Sequence, residues 1–238
     1  MAYPELRPNQ FGTTVGLWHL NHTVTDTDPT DFSGNNYTLT NSNSAEYLAG
    51  LFGNCTDLGA TNTNKSLYTA SNLGVTGNRT ISGWFKMHTE IGSGTQCFAT
   101  HWDSTTKSNL EMLYEYNSGT RRINFRRVRQ GVGIDANYYI ITLGTNNWYQ
   151  LTQVWDGTNV LAYINGALVG SAASSGNGSA TTQNLFTLGV SSSSATSLTA
   201  TNFASIYIDE VMVSSTALTA NQIRQLYAYQ KGLLGRYE

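Results

Sequence analysis

The first question that the sequence raises is whether its carboxylates could act as a catalytic pair. Glu111 and Glu115 stand four residues apart in strand-like sequence, and Asp209 is followed directly by Glu210. Glycoside hydrolysis needs two carboxyl groups ~5–5.5 Å apart for retention or ~6.5–9.5 Å apart for inversion. Four strand residues separate Glu111 from Glu115 by ~13 Å, and neighbours such as Asp209 and Glu210 point to opposite faces of a sheet. Neither spacing suits hydrolysis, so the sequence disfavours a polysaccharide-cleaving enzyme.

Five of the nine arginines fall between positions 121 and 129. A hairpin turn at Ser118-Gly119 would set Glu115 opposite Arg122 and Glu111 opposite Arg126, which predicts two cross-strand ion pairs on one face. The same register predicts two apolar pairs on the other face, Tyr114 with Ile123 and Met112 with Phe125.

This register leaves Arg121, Arg127 and Arg129 without an obvious local partner. Two interpretations stay open, a charged strand that faces solvent or another subunit, and a site for an anionic ligand such as an acidic polysaccharide. The net charge of −2 and a pI near 6.1 give no overall attraction to nucleic acid or to an anionic membrane.

Aromatic side chains could stack on sugar rings, because they combine an apolar face with a polar edge. Trp18, Trp84 and Trp155 lie within strand-like motifs, so we expect them in the core. Trp102 stands beside a histidine at a predicted strand end and is the stronger candidate. The predicted ligand-binding residues are therefore Trp102, His101, Tyr138, Arg121, Arg127 and Arg129.

Turn chemistry predicts an all-β architecture. Between Trp148 and Ser171, the segment Asp156-Gly157-Thr158-Asn159 separates two β-rich runs, and Asn165-Gly166 favours a type I′ hairpin to a third. Short runs of this kind recur along the chain and are typical of an antiparallel sandwich or jelly roll. Further predicted strands cover 16–20, 80–87, 97–102, 110–116, 122–129, 138–143, 186–190 and 206–213.

One helix is predicted near the end of the chain. Thr219 and Gln222 form a capping box, and Ile223, Leu226 and Tyr227 make an apolar stripe that should plug one end of the sandwich. Residues 1–14 are expected to form an extended arm, 15–230 a single domain and 231–238 a tail, with the arm and tail contacting neighbours in a homo-oligomer. Loops are expected at 171–180 and 191–201.

The composition fits one weakly charged domain. Only 12% of the 238 residues are charged, whereas Asn, Ser and Thr account for 77 of them. No apolar run approaches the ~20 residues that cross a bilayer, so membrane insertion is not expected. The start of the sequence lacks the basic and apolar regions of a classical signal peptide. Cys55 and Cys97 are interpreted as two buried thiols or, alternatively, one disulfide.

Taken together, these segments resemble the laminin-G-like, concanavalin A-like jelly-roll family over residues 15–228. The resemblance rests on Gly16-Leu17-Trp18-His19-Leu20, Asp31-x-Ser33-Gly34-Asn35, Ala49-Gly50-x-Phe52-Gly53, Ile81-Ser82-Gly83-Trp84, Trp155-Asp156-Gly157-Thr158, Tyr163-Ile164-Asn165-Gly166, and Ile208-Asp209-Glu210-Val211 before Ala217-Leu218-Thr219. It implies an all-β sandwich with one short helix. Related glucanases carry a Glu-x-Asp-x-x-Glu motif, which this chain lacks.

The resemblance also implies a metal and a range of functions. In similar jelly rolls an aspartate on the last long strand helps to bind a structural Ca²⁺ together with backbone carbonyls from the first strand, which suggests Asp209. The alternative is an aspartate hydrogen-bonded to the opposing chain end. The favoured hypothesis is a non-enzymatic, lectin-like adhesion module on a virion surface, such as a bacteriophage capsid decoration or fibre component. The second hypothesis is a free, extracellular carbohydrate-binding module.

Overall fold

Two antiparallel β-sheets and one C-terminal helix make up the computed structural model, which describes residues 6–24, 27–60, 64–69, 73–103, 107–178, 185–192 and 200–234. This confirms the predicted all-β sandwich. The strands are β1 (Thr14–Trp18), β2 (Thr40–Ser42), β3 (Glu46–Ala49), β4 (Asn54–Asp57), β5 (Ser66–Tyr68), β6 (Arg79–Met87), β7 (Gly94–Asp103), β8 (Ser108–Asn117), β9 (Thr120–Arg129), β10 (Gly133–Ile140), β11 (Tyr149–Trp155), β12 (Asn159–Ile164), β13 (Ala167–Ala173), β14 (Phe186–Leu188), β15 (Ser191–Ser192), β16 (Ala200–Thr201) and β17 (Ile206–Ser214). The helix α1 spans Ala220–Leu234.

The strands divide into two large sheets and a small hairpin. The eight-stranded sheet has the order β13-β12-β11-β6-β17-β4-β3, with β1 also paired to β17. The seven-stranded sheet has the order β10-β9-β8-β7-β14-β5-β2, and β15 and β16 form a separate two-stranded sheet. Because chain neighbours often lie in different sheets, side chains distant in sequence meet between the layers.

The main core fills the space between the two sheets. The Trp18 ring stacks on Phe186 with centroids 5.1 Å apart, and Phe85 stacks on Phe98 at 5.3 Å. Trp155 belongs to the same buried cluster. The prediction that Trp18, Trp84 and Trp155 are buried is confirmed, although Trp84 lies on the opposite face of the eight-stranded sheet, where it stacks on a helix residue.

The hairpins follow the predicted turn chemistry. Ser118 and Gly119 have φ of 50° and 85°, and β8 pairs with β9 in the predicted register. Asn165 and Gly166 have φ of 51° and 76°, and β11, β12 and β13 form the predicted antiparallel meander. The strand predicted at 138–143 is displaced, since β10 ends at Ile140.

The helix was expected to plug one end of the sandwich, and this prediction is wrong. Thr219 does cap it, since its Oγ1 accepts the Gln222 N–H and Gln222 Oε1 accepts the Thr219 N–H. Through Ile223 and Leu226, however, α1 packs on the outer face of the eight-stranded sheet beside Leu17. The outward side chains of that sheet are apolar and pack against the apolar side of the helix. This contact forms a second core.

The described part of the N-terminal arm packs on its own chain. Leu6 is buried in the second core, and Phe11 lies 5.9 Å from the Tyr229 ring of α1. The predicted tail is helical as far as Leu234. Residues 1–5 and 235–238, which carry the rest of the arm and the tail, lie outside the described residues, so contacts of these segments with neighbours stay a prediction.

The two cysteines are free and buried, which confirms the first of the two interpretations. Burial raises the pKa of each thiol to about 12. Within the described ranges, the only helix is too short and too polar to span a bilayer.

Candidate ligand-binding groove

The outer face of the seven-stranded sheet carries polar side chains in alternation with core residues. Along β8 and β9, Met112 and Phe125 face the core. Their neighbours Glu111 and Arg126 therefore face outward, and the register places them directly opposite each other. β7 and β10 extend this face on either side.

A groove of about 250 Å³ lies on this face. Its floor comes from four adjacent strands and comprises Trp102, Asn109, Glu111, Arg126, Val128 and Ile134. The β15–β16 hairpin supplies one wall through Ser191 and Thr201. The groove thus combines an indole, aliphatic side chains, an amide, hydroxyls and one ion pair in a single depression.

The polar side chains of the groove hold each other in place. Arg126 Nε donates to Glu111 Oε2 at 2.5 Å, and Asn109 Nδ2 donates to Glu111 Oε1 at 2.6 Å. Asn109 Oδ1 in turn accepts the backbone N–H of Val128 at 3.1 Å. Within the described part of the chain, the terminal nitrogens of Arg126 donate no hydrogen bond. They are therefore N–H donors on a guanidinium whose position is already fixed.

Only one predicted ligand-binding residue lies in the groove. Trp102 lines it, although its side chain is only 5% exposed, and its backbone N–H is bonded to the Leu185 carbonyl. Tyr138 lies on the same face but outside the groove, is 54% exposed and has the guanidinium of Arg122 4.1 Å from its ring centre.

His101 and Arg127 are fully buried, and the structure contradicts their prediction as surface ligand-binding residues. The His101 ring lies 6.3 Å from Phe186 in the core. The Arg127 guanidinium lies 3.8 Å from the centre of the Trp155 ring and donates to Ser174 Oγ and the Gly176 carbonyl. The alternation of β7 and β9 turns both side chains inward, so neither can meet a ligand at the surface.

Arg121 and Arg129 also have local partners, contrary to the sequence interpretation. Arg129 donates to both carboxylate oxygens of Asp135 on β10, at 2.8 and 3.0 Å. Arg121 pairs with Glu90 at 3.3 Å and donates to the Ile91 carbonyl. These three arginines therefore make separate structural contacts and do not form a common anion-binding site.

The two predicted cross-strand ion pairs are confirmed. Glu115 pairs with Arg122 at 3.0 Å, just as Glu111 pairs with Arg126. Glu210 meets His19 at 2.7 Å in a buried pair. Asp209 stands apart, since its Oδ2 accepts the backbone N–H groups of Leu51 and Phe52.

Among the described residues, two backbone N–H groups hold one carboxylate oxygen of Asp209. The other oxygen, Oδ1, is buried and accepts no hydrogen bond from the described residues, and no group of three or more His, Cys, Asp or Glu side chains that could hold a metal lies in the described part of the chain. A calcium ion takes ~6–8 oxygen ligands, and backbone carbonyls can serve among them. Burial, followed by the Glu210 carboxylate, raises the pKa of Asp209 well above its ordinary value, which favours the neutral carboxyl. Its partners are loop residues and not a chain end. Calcium binding itself stays a prediction, which calorimetric titration would test.

Sequence reasoning missed the groove as a unit. It predicted the Glu111–Arg126 pair but interpreted it as structural only, and it did not select Asn109. Strand alternation was the available signal, because it places Asn109 and Glu111 on one face. The wall from the β15–β16 hairpin had no signal, since a loop was expected at 191–201.

These features define a jelly-roll sandwich of the lectin type with a polar and aromatic groove on one sheet. The chain belongs to the concanavalin A-like lectin/glucanases superfamily, because the family model of that description, a laminin G model, matches residues 58–224. No curated protein sequence matches the chain.

Several solved structures share the fold. The botulinum neurotoxin type G receptor-binding domain aligns over 91% of this chain and 51% of its own, with 14% identity and a TM-score of 0.63. The binding domain of botulinum neurotoxin DC, solved in complex with SialylT, aligns over 91% of this chain and 51% of its own, with 13% identity and a TM-score of 0.68. Our chain spans about half the length of these toxin domains.

A third similar structure is a separate domain of an enzyme. Domain 4 of the extracellular arabinanase AbnA from Geobacillus stearothermophilus, solved in complex with arabinotriose, aligns over 92% of this chain and 100% of its own. The identity is 17% and the TM-score is 0.64. At this level of identity the likeness concerns the fold.

Proposed function

We propose that this protein is a non-enzymatic, glycan-binding module that uses the groove on the outer face of the seven-stranded sheet. The observation that carries the proposal is the Arg126 guanidinium, which Glu111 fixes through Nε while its terminal N–H groups stay available. Sugar hydroxyls and carboxylates accept hydrogen bonds from such donors, and the side chain of Ile134, which lines the groove and is 56% exposed, offers an apolar surface beside them.

The size of the groove limits the ligand. At about 250 Å³ it is smaller than the ~300–1,000 Å³ of pockets that enclose drug-sized molecules. It would hold one sugar unit of a longer glycan, with the remaining units lying along the open face. Two solved structures of this fold are complexes, one with SialylT and one with arabinotriose, which supports a glycan as the ligand class.

The pairing of the acidic side chains supports a non-catalytic role. Glu111 and Glu115 each hold an arginine, and Asp209 is buried under backbone donors. A general acid needs access to the leaving oxygen of its substrate, and none of these three carboxyl groups is free to provide it.

A glycan array followed by calorimetry tests the proposal, with Arg126→Ala as the test variant. The wild-type chain should bind a subset of glycans saturably, and Arg126→Ala should weaken that binding at least about tenfold through loss of a charged hydrogen bond. Arg122→Ala is the matched control, since it breaks the equivalent pair with Glu115 outside the groove. Both variants need an unchanged circular dichroism spectrum. If the well-folded wild-type chain bound no glycan, or if both variants bound equally well, the groove would not be the site.

We further propose that the module acts on a virion surface as a decoration or fibre component. The weakly charged, Asn/Ser/Thr-rich composition supports a hydrated outer surface. Gold-labelled antibodies on purified particles should decorate the particle exterior. If the chain were found only free in the medium, the alternative of a free extracellular lectin-like module would replace the virion proposal.

A further inference from the structure

The free edges of the two sheets differ in how they are protected. Native edge strands avoid pairing with other chains by being short, charged, bulged or rich in proline and lysine. At the ends of the strand orders, β2 has three residues, β3 carries Glu46 in an ion pair with Lys65, and β13 has a register shift against β12. β10 also carries one ion-paired charge, Asp135 with Arg129, but it is longer than β2 and β3 and has no register shift. It runs for eight residues in unbroken register with β9.

The outward side chains of β10 form an exposed apolar row. Ile134, Tyr138 and Ile140 alternate along the strand with exposed fractions of 56%, 54% and 73%. The one charged side chain of β10, Asp135, is already bonded to Arg129 and to Ser174 Oγ. Strand β10 therefore presents both an apolar row and an edge that no other described strand pairs with.

A second copy of the chain matches this edge. Two identical edge strands that pair antiparallel are related by a two-fold axis perpendicular to the sheet, which keeps the same face outward in both copies. One residue must then lie opposite its own copy. If that residue is Ala136, Ile134 of each copy faces Tyr138 of the other on the outer face. On the inner face Asp135 faces Asn137, so no like charges are opposed.

We propose that the protein forms a two-fold dimer by antiparallel pairing of β10 with β10 of a second copy, centred on Ala136. The pairing joins the two seven-stranded sheets into one sheet of fourteen strands. Eight strand residues span ~26 Å, so the interface is narrow. It falls at the low end of specific interfaces, below ~1,200 Å² in total, and the dimer is expected to be reversible.

Sedimentation velocity from about 1 to about 200 µM, a range suited to a small interface, tests the dimer. The mass of the wild-type chain should rise from one copy to two. Tyr138→Lys should raise the dissociation constant at least about tenfold, because it puts an ammonium opposite Ile134 and adds an edge lysine. Leu168→Lys on β13 is the matched control, since Leu168 is also 54% exposed, and it should leave the dimer unchanged.

Cysteine crosslinking tests the register. Ala136→Cys should form a covalent dimer on mild oxidation, because the two thiols face each other across the axis. Tyr139→Cys is equally suited to oxidation, since Tyr139 is 38% exposed, but would face Gly133 of the other copy and should stay reduced. A single-copy mass at every concentration, a dimer insensitive to Tyr138→Lys, or equal crosslinking of the two cysteine variants would overturn the proposal.

Discussion

At the scale of single residues, the most consequential side chain is a buried arginine and not an exposed one. Arg127 is fully buried, its guanidinium stacks on Trp155, and Nε donates to Ser108 Oγ while the terminal nitrogens donate to Ser174 and Gly176. A planar fork of donors suits this arrangement, whereas a lysine ammonium cannot reach several separate acceptors at once. Arg127 therefore ties the 174–176 segment to the seven-stranded sheet.

Arg127→Lys is expected to lower the free energy of unfolding by ~2–4 kcal/mol, because it leaves buried acceptors without donors. Urea unfolding followed by tryptophan fluorescence measures this change. The exposed Arg224 on α1 provides the control, and Arg224→Lys should change stability by less than ~0.5 kcal/mol. A loss below ~1 kcal/mol for Arg127→Lys would show that the donor fork is not needed.

Asp209 should make stability fall as the pH rises. Burial and Glu210 raise its folded-state pKa above the value in the unfolded chain. The folded state then holds a proton that the unfolded state has lost, so this contribution is complete below the unfolded pKa and disappears as the pH rises through the folded pKa. At pH values between the unfolded-state pKa and the folded-state pKa, the free energy of unfolding should fall by up to ~1.4 kcal/mol per pH unit.

Asp209→Asn isolates this effect, because the amide keeps an oxygen for the Leu51 and Phe52 N–H groups but cannot ionise. Melting temperatures of both chains should be measured from acidic to neutral pH and above. As the pH rises from about 4, the melting temperature of the wild-type chain should fall relative to that of Asp209→Asn. Parallel curves would mean that Asp209 titrates alike in the folded and unfolded states.

Strand alternation predicts which face a side chain occupies and fails to predict its partner across the molecule. It placed Glu111 opposite Arg126 correctly, since both belong to one hairpin. It could not supply Asp135 for Arg129, because that contact depends on where β10 begins. Nor could it show that Arg127 reaches Ser174, a residue 47 positions away. The sequence therefore predicted the Glu111–Arg126 pair but not the groove around it, which only the folded chain shows.

At the scale of elements, the contact between the β12–β13 hairpin and α1 depends on a glycine. Gly166 has φ of +76°, and a Cβ there would lie 2.8 Å from Tyr227 Cβ. Gly119 in the β8–β9 hairpin has φ of +85° but open space around it. The two positions thus share the left-handed backbone and differ only in the packing of the helix.

Gly119→Ala should cost ~1–2 kcal/mol from backbone strain alone, and Gly166→Ala should cost ~1–3 kcal/mol more because the helix must shift. Chemical denaturation of both variants measures the difference. Amide hydrogen exchange should show weaker protection in α1 for Gly166→Ala only. Equal costs for the two variants would mean that α1 is not held by this contact.

Elements with strong local signals were predicted well. The Asn165-Gly166 hairpin and the Thr219 cap each specify a conformation within four residues, and both are confirmed. Strands β2 to β5 were not predicted, because each is only three or four residues long. The position of α1 was predicted wrongly, because an apolar stripe indicates that one side of a helix is buried but not which surface of the sandwich it packs on.

At the scale of the whole molecule, the proposed groove and the proposed dimer have a joint consequence. A two-fold axis perpendicular to the extended sheet leaves both grooves on the same side of the dimer. Two weak sites that face the same way can engage one glycan-coated surface together. Linked sites of this kind gain ~10²–10⁴ in apparent affinity without any new contact.

The wild-type chain should therefore dissociate from a densely glycosylated surface ~10²-fold more slowly than Tyr138→Lys, whereas both should bind the free glycan equally in calorimetry. Biolayer interferometry at high and low glycan density measures the first quantity, and the difference should vanish at low density because one dimer no longer spans two glycans. Weaker binding of the free glycan by Tyr138→Lys would instead place Tyr138 in contact with the ligand. Equal retention at every density would mean that the two grooves act alone, and the glycan-binding proposal would then stand without the dimer.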